Sequence, residues 1–430
     1  NESNSIIVLA PMEDKPDIMV IKTVLAITNH PSRKTEPFHI VAELTEPKNI
    51  EACNLAGNNE VTLVLHGELI SRITAQTCRQ SGLSLVYTEL LDFDGCEIYF
   101  ADEKSLTGKT FKEAILAYDD SSVIGLKFKD GSVKVNPPMD TILSATDSLI
   151  VIAEDNSKIK LSNKAFTIDS KQIISSYDNP IKTEKTLILG WNRRGAHIIS
   201  ELDNYVAANS QVTILADIEG IEEQTAKVKE KLVNQSLEFI YGDTTDRDTL
   251  ESIDIPSYDH IIILCYSDDL EVQEADAKTL IALLHLRNMA QKRGTNFSIV
   301  SEMLDIKNKE LAEITKADDF IISDKLVSLM LSQLSENKEL KLVFDELFND
   351  EGAEIYLKPA SQYITEGSEV DFYTVMAAAS QRNEVAIGYR LNSLASDAKR
   401  GYGVLVNPIK SEKVKFTAAD KIIVLSEDES

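Results

Sequence analysis

The sequence runs to 430 residues, 43% of them apolar, with 44 Lys and Arg against 70 Asp and Glu and a formal charge of −26. That length and apolar share support several cored units rather than one. The acidic balance disfavours nucleic acid, whose phosphate backbone such a surface repels. Cys53, Cys78, Cys96 and Cys265 form no CxxC pair, which argues against thiolate metal ligation, and no apolar run approaches the roughly 18 residues of a membrane helix.

Taken in chain order, the elements recur. The run Ser5–Leu9 (SIIVL) is answered by His260–Leu264 (HIIIL), and Ile40-Val41-Ala42-Glu43 by Ile299-Val300-Ser301-Glu302. Leu85–Phe100 aligns without gaps to Leu342–Leu357 with eight of sixteen positions identical. Val135-Asn136-Pro137 then matches Val406-Asn407-Pro408, and Asp147–Val151 matches Asp420–Val424. Order is kept over more than a hundred residues, so one module is present twice.

The second copy is the fuller one. Lys185–Gly190 is an apolar run without alternation, as a strand covered on both faces requires, and Arg194–Ala207 follows with helical spacing. Strands are expected at Gln211–Ala216, Leu237–Tyr241, His260–Cys265, Phe297–Glu302 and Asp319–Ser323. Between them helices are expected up to Val233, near Leu250, over Glu271–Gln291 and near Leu311. This alternation predicts an α/β fold, a Rossmann-like parallel doubly wound sheet. After Leu357 short, turn-punctuated strands predict a small β-rich (α+β) lobe.

The first copy lacks the counterpart of Lys185 through Asp259, and a half sheet would leave strand edges uncovered, so an N-terminal extension of the native protein is expected. The expected organisation is a half Rossmann-like lobe over 1–91, its β-rich lobe over 92–155, a polar linker over 156–184 with Asp178-Asn179-Pro180, a whole Rossmann-like lobe over 185–348 and a second β-rich lobe over 349–430.

A dinucleotide turn needs glycines where the backbone approaches a pyrophosphate. Here it reads Gly190-Trp191-Asn192-Arg193-Arg194-Gly195, with Asn192 in place of the middle glycine, and Asp217 closes the second strand where a ribose-binding acid sits. Gly190, Gly195 and Asp217 are therefore the nucleotide-binding candidates. Arg193 and Arg194 either meet an anion at the helix start, or are solvated or cap another subunit's carboxylates. In Gly242-Asp243-Thr244-Thr245-Asp246 helix capping is the favoured role.

Acids at the strand exits give a second signal. Glu43 and Glu46 in the first copy and Glu302 and Asp305 in the second each place one acid at the end of a buried strand and another three residues on. With Asp268 and Asp269, which leave the neighbouring strand beside Glu271 and Glu274, they form a set of hard oxygen ligands suited to Ca²⁺. The competing reading is that these acids cap helices or pair with Lys and Arg. No enzymatic set accompanies them: HExxH, GxSxG and CxxC are absent, and Gly108-Lys109-Thr110 lacks the earlier glycine of a phosphate loop.

Two half-domains of this kind, each with a β-rich cap, resemble tandem RCK domains, the regulators of potassium-channel conductance. Cys78-Arg79-Gln80-Ser81-Gly82-Leu83, Glu89-Leu90-Leu91 with Cys96-Glu97-Ile98-Tyr99, Asp345-Glu346-Leu347-Phe348 with Glu351-Gly352, and Gln381-Arg382-Asn383-Glu384 with Ile387-Gly388-Tyr389-Arg390-Leu391 narrow the resemblance to the CASTOR/POLLUX ion channels. The Gly190-Trp191 turn is similar to that family as well. The resemblance implies a gating ring on the cytosolic face of a membrane. Four subunits, contributing eight RCK domains, would hang beneath a cation pore that precedes residue 1 and is opened by Ca²⁺. A nucleotide-gated subunit of a potassium uptake system and a dinucleotide-dependent enzyme are the alternatives. Both require a working glycine turn, and the enzyme also requires an acid-base set.

Overall fold

The computed structural model describes residues 3–11, 15–176, 182–294, 298–313, 319–348 and 352–427. They gather into two compact units, Asn1–Ser81 with Ile181–Lys341, and Gly82–Pro180 with Leu342–Ser430.

The first unit holds two parallel sheets. The larger has six strands in the order Gln235–Tyr241, Ser210–Ala216, Lys185–Leu189, His260–Ile263, Ser298–Met303 and Asp319–Ile322. Its strand order reverses between Lys185–Leu189 and His260–Ile263, the switch point of a doubly wound sheet. The smaller has three strands, Ile6–Val8, Ile40–Leu44 and Val61–Leu65, the counterparts of the last three strands of the larger sheet. Strand His260–Ile263 pairs on both sides, whereas Ile6–Val8 pairs with Ile40–Leu44 alone among the described residues.

Helices exchanged between the copies hold the sheets together. His66–Arg79, which follows the third strand of the first copy, packs on His260–Ile263, Ser298–Met303 and Asp319–Ile322 of the second. Ser323–Glu336, its counterpart, packs on all three strands of the first copy. Both helices are amphipathic: Leu69, Ile70 and Ile73 on one and Leu326, Val327, Met330, Leu331 and Leu334 on the other are buried. At about 1.5–3 kcal/mol for each large side chain, this exchange is a principal source of the unit's cohesion.

The second unit holds two antiparallel four-stranded sheets of identical order. One runs Glu97–Ala101, Ser148–Ala153, Ser122–Lys127, Val133–Val135, and the other Glu354–Pro359, Lys421–Ser426, Val385–Arg390, Val404–Val406. Each carries a bulge at the same place, before Gly125 and before Gly388. Helix Leu83–Leu91 packs on Glu97–Ala101, Glu354–Pro359 and Val404–Val406, and it and nearly all of helix Leu340–Phe348 lie in this unit and not, as expected, at the ends of the Rossmann-like lobes.

Two features depart from expectation. The stretch after Leu357 contains a buried helix, Phe372–Ser380, whose start is capped by Asp371 accepting from the Thr374 N–H at 2.9 Å. The supposed linker is an ordered strap in its described part: Leu161 bridges to Tyr118, Ile173 bridges to Ile364, and Phe166 stacks on Tyr373 at 4.3 Å. Asp178-Asn179-Pro180 lie outside the described residues.

Candidate functional site

The glycine turn is shaped by the protein itself. Gly190 has φ +82°, and a Cβ there would lie 2.2 Å from the Leu264 carbonyl oxygen, so the neighbouring strand exit already requires glycine. Gly195 faces Trp191, whose ring would meet a Cβ at 2.5 Å. Trp191 is buried and its Nε1–H donates to Gln224 Oε1 at 2.9 Å. Asn192, also buried, donates from Nδ2 to the Cys265 carbonyl and to Glu302 Oε2, both at 2.8 Å, while its Oδ1 accepts the Arg194 N–H.

Arg194 and Glu302 close this core. The Arg194 guanidinium donates to Glu302 Oε1, which also accepts the Ser323 hydroxyl at 2.9 Å, and the two side chains are only 5% and 2% exposed. The positive charge at the helix start is thereby spent inside the chain. Asp217 is engaged too: Lys278 Nζ donates to Oδ2 at 2.8 Å and lies over the Tyr266 ring at 4.3 Å. Burial pulls the Asp217 carboxyl upward, but hydrogen bonds from Lys278 and Tyr266 outweigh it and hold the group below the usual carboxylate range. Trp191, Asn192, Arg194 and the Oδ2 of Asp217 are thus committed to protein partners where a pyrophosphate and a ribose would bind.

The strand-exit acids are likewise engaged. Glu43 accepts the Ala10 N–H on Oε2 at 3.1 Å and contacts His66 Nδ1 through Oε1 at 2.8 Å. Asp305 accepts the Lys307 N–H and the Gln273 amide, and Asp268 accepts the Arg193 N–H. Glu46 reaches Lys48 at 3.4 Å on the surface, and Asp269 is exposed. Among the described residues no three His, Cys, Asp or Glu side chains are grouped to hold a metal ion. A Ca²⁺ ion takes six to eight oxygens, and Glu302, with its oxygens filled by Arg194, Asn192 and Ser323, does not fit that role.

Comparison with known proteins agrees with this architecture. A family model described as "Castor and Pollux, part of voltage-gated ion channel" matches residues 67–169, and a TrkA-N domain matches residues 186–323. Ion channel CASTOR of Lotus japonicus is 29% identical over all of this chain and 54% of its own length. Probable ion channel POLLUX of Arabidopsis thaliana is 27% identical over 99% of this chain and 55% of its own length.

This chain is similar to the CASTOR/POLLUX ion channels. It spans about half the length of the curated relatives it matches. The human SLO3 gating ring shares the fold, with a TM-score of 0.69 and 13% identity over 98% of this chain and 87% of that one. A GsuK channel bound to NAD aligns with a TM-score of 0.40 and 18% identity over 98% of this chain and 64% of that one.

The acids that recur with equal roles in the two copies are Asp17 and Asp276, neither of which stands at a strand exit. Asp17 is 2% exposed and accepts from the Thr45 and Glu46 N–H groups and from Asn49 Nδ2. Asp276 is 0% exposed and accepts from the Leu304 and Asp305 N–H groups and from Asn308 Nδ2. Each ties the start of a helix to a strand exit, and this explains why the loop after Glu43 and after Glu302 folds alike. The same spacing separates Asp17 from Asp276, Glu46 from Asp305 and Asn49 from Asn308, a signal present in the sequence. Among the described residues no helix is long and apolar enough to cross a membrane.

Proposed function

We propose that this chain is the gating-ring region of a tetrameric cation channel, lying on the cytosolic face of the membrane and passing ligand binding to a pore formed by another part of the channel. The observation that carries the reading is the closed glycine turn, in which Asn192, Arg194 and Glu302 occupy one another within a duplicated, helix-exchanged pair of sheets. Such a unit offers a stiff body with two related halves. A ligand that prefers one arrangement of such bodies delivers its difference in affinity as mechanical work. The names of the relatives, ion channels throughout, support the same reading.

Calcium is the proposed ligand. Glu302 is excluded as a ligand by its partners, so the proposal rests on Asp268 and Asp269, exposed in the loop after the central strand. These supply only part of the six to eight oxygens Ca²⁺ takes, no further acids being grouped beside them among the described residues. Calorimetric titration with Ca²⁺, paired with sedimentation of the same sample, tests both parts. Binding that is lost in Asp268→Asn/Asp269→Asn and kept in Glu302→Gln is expected. Absence of any Ca²⁺ heat removes calcium from the reading, and a monomer at every concentration, with and without Ca²⁺, removes the ring.

A further inference from the structure

The two β-rich lobes of the second unit meet along a seam that obeys a local two-fold rule. Asn136 and Asn407 hold equivalent places, both in the left-handed region at φ +47° and +52°, and each backbone N–H donates to the bulged strand of its own lobe, at Ile124 and Ile387. Each amide then crosses to the other lobe. Asn136 Nδ2 donates to the Asn383 carbonyl at 2.8 Å, and Asn407 Nδ2 donates to the Asp120 carbonyl at 2.9 Å. Asp120 and Asn383 stand at the same position, two residues before the strands Ser122–Lys127 and Val385–Arg390.

Three residues after each asparagine the symmetry breaks. The first copy has Met139 and the second has Lys410, and both carbonyls accept N–H groups at the start of the helix that follows the first strand of their lobe, Lys112 in one case and Phe372 and Tyr373 in the other. Met139 is 8% exposed and Lys410 is 0% exposed. An apolar side chain therefore fills this place in one lobe while an amine fills it in the other.

Lys410 Nζ has one hydrogen-bond partner among the described residues, Asn407 Oδ1 at 2.5 Å, which also accepts the Ser122 hydroxyl at 2.9 Å. The charged and titratable groups acting on it are Cys96, Asp120 and Asp119 from the first lobe, and Asp119 is itself bonded by Tyr373 from the helix Phe372–Ser380 and by Lys164 from the strap. Asp119 does not neutralise Lys410, because its carboxylate is taken by Lys164, by the Ser411 N–H and hydroxyl and by Tyr373. A buried ammonium without a carboxylate partner is strongly disfavoured.

We propose that Lys410 makes the seam between the two β-rich lobes responsive to pH: as a neutral amine it completes the seam through Asn407, and as an ammonium it lodges there a buried charge that has no direct carboxylate bond and is compensated only in part. Burial pushes the Lys410 ammonium down from the usual 10.5 to about 7, with the Cys96, Asp120 and Asp119 charges holding it up only in part. A base whose folded value is lowered binds fewer protons when closed than when open. Seam stability is therefore fullest above the ordinary lysine value and is lost as pH falls towards the folded value.

Amide hydrogen exchange of peptides spanning residues 404–412, corrected for intrinsic rate and measured on the whole chain from pH 6 to 9, reads this directly. The opening constant of the seam is expected to be flat below about pH 7 and to fall by up to tenfold per pH unit above it, one proton being linked to opening. In Lys410→Met, which installs the residue of the other lobe, that dependence disappears and the seam stays closed at pH 6. An unchanged pH profile in Lys410→Met overturns the proposal. Should that variant not fold, wild-type protein carrying ¹³C at the lysine ε position decides: one lysine signal titrating near 7 supports the assignment, and a set titrating entirely near the ordinary value of about 10.4 overturns it.

Discussion

Arg194 and Glu302 pair at the carboxyl edge of the six-stranded sheet, where an open α/β fold otherwise receives its ligand. The pair is buried, and removal of one partner leaves a charge with no solvent. Glu302→Gln is expected to cost about 3–5 kcal/mol in chemical denaturation, whereas Arg194→Met combined with Glu302→Leu, which removes both charges, costs less than either single change. A double variant as unstable as the sum of the singles would mean that the two side chains do not act as one unit of stability.

The same closure predicts indifference to nucleotides. A ligand present at a hundredfold excess over its Kd raises stability by about 2.7 kcal/mol through mass action, so a turn able to take NAD or ATP would show a clear rise in thermal midpoint. None is expected, because Asn192, Arg194 and Asp217 are already bonded within the chain. Thermal scans with and without millimolar nucleotide check this, and a rise that Lys278→Met abolishes would reopen the ribose site.

Much of the fold is legible in the sequence. The apolar runs at Lys185–Gly190 and His260–Cys265 have no alternation because both faces of the sheet are covered, and they fall on the observed strands Lys185–Leu189 and His260–Ile263. The duplication in Leu85–Phe100 and Leu342–Leu357 anticipates two like lobes. Helix Phe372–Ser380 is hidden because it is buried all round: Val375 to Ala379 has no polar face and so no period. The bonding of Arg194 to Glu302 depends on which strands become neighbours, and no local pattern carries that. Asp17 and Asp276 stand in plain spacing, but an isolated acid early in a helix reads first as an ordinary dipole partner.

Those two acids supply a paired test. Asp17→Ala should expose the Thr45 and Glu46 amides to exchange, and Asp276→Ala the Leu304 and Asp305 amides, each in its own copy, with about 1–3 kcal/mol lost for donors left unmade. Burial alone would raise the Asp17 carboxyl, yet bonds from Asn49, Thr45 and Glu46 hold it below its ordinary 3.8. Its contribution is therefore complete above that value and is lost as pH falls through the lower folded one. The stability gap between wild type and Asp17→Asn should narrow in acid, and a gap that widens there would contradict the assignment.

Glu184 makes a steeper acid prediction. It accepts two bonds from Arg79, at 2.8 and 3.0 Å, and lies 3.1 Å from His260 Nε2. Burial raises the carboxyl, but His260 and Arg79 overcome it and bring the group to about 2. The stabilisation is present above the ordinary 4.5 and decays as pH falls to about 2, so wild type and Glu184→Gln should converge over that window. Arg79 ends a helix of the first copy and Glu184 opens the second, so loss of protection in Glu184→Gln should spread into both sheets.

The bulge glycines carry the last test. A Cβ on Gly125 would lie 2.5 Å from the Lys134 carbonyl oxygen, and one on Gly388 would lie 2.3 Å from that of Leu405. Both obstacles are backbone atoms of the paired strand, so neither can swing aside as a side chain tip would. Relief requires the hairpin to open at the bulge, where the register already shifts. Gly125→Ala and Gly388→Ala should each cost about 1–3 kcal/mol, the usual range for forced overpacking. Each should also loosen the edge strand of its own lobe, Val133–Val135 or Val404–Val406, while leaving the other intact. Because Asn136 and Asn407 stand directly after those strands, hydrogen exchange at the seam should rise together with the local loss, by way of Asn136 in one variant and Asn407 in the other.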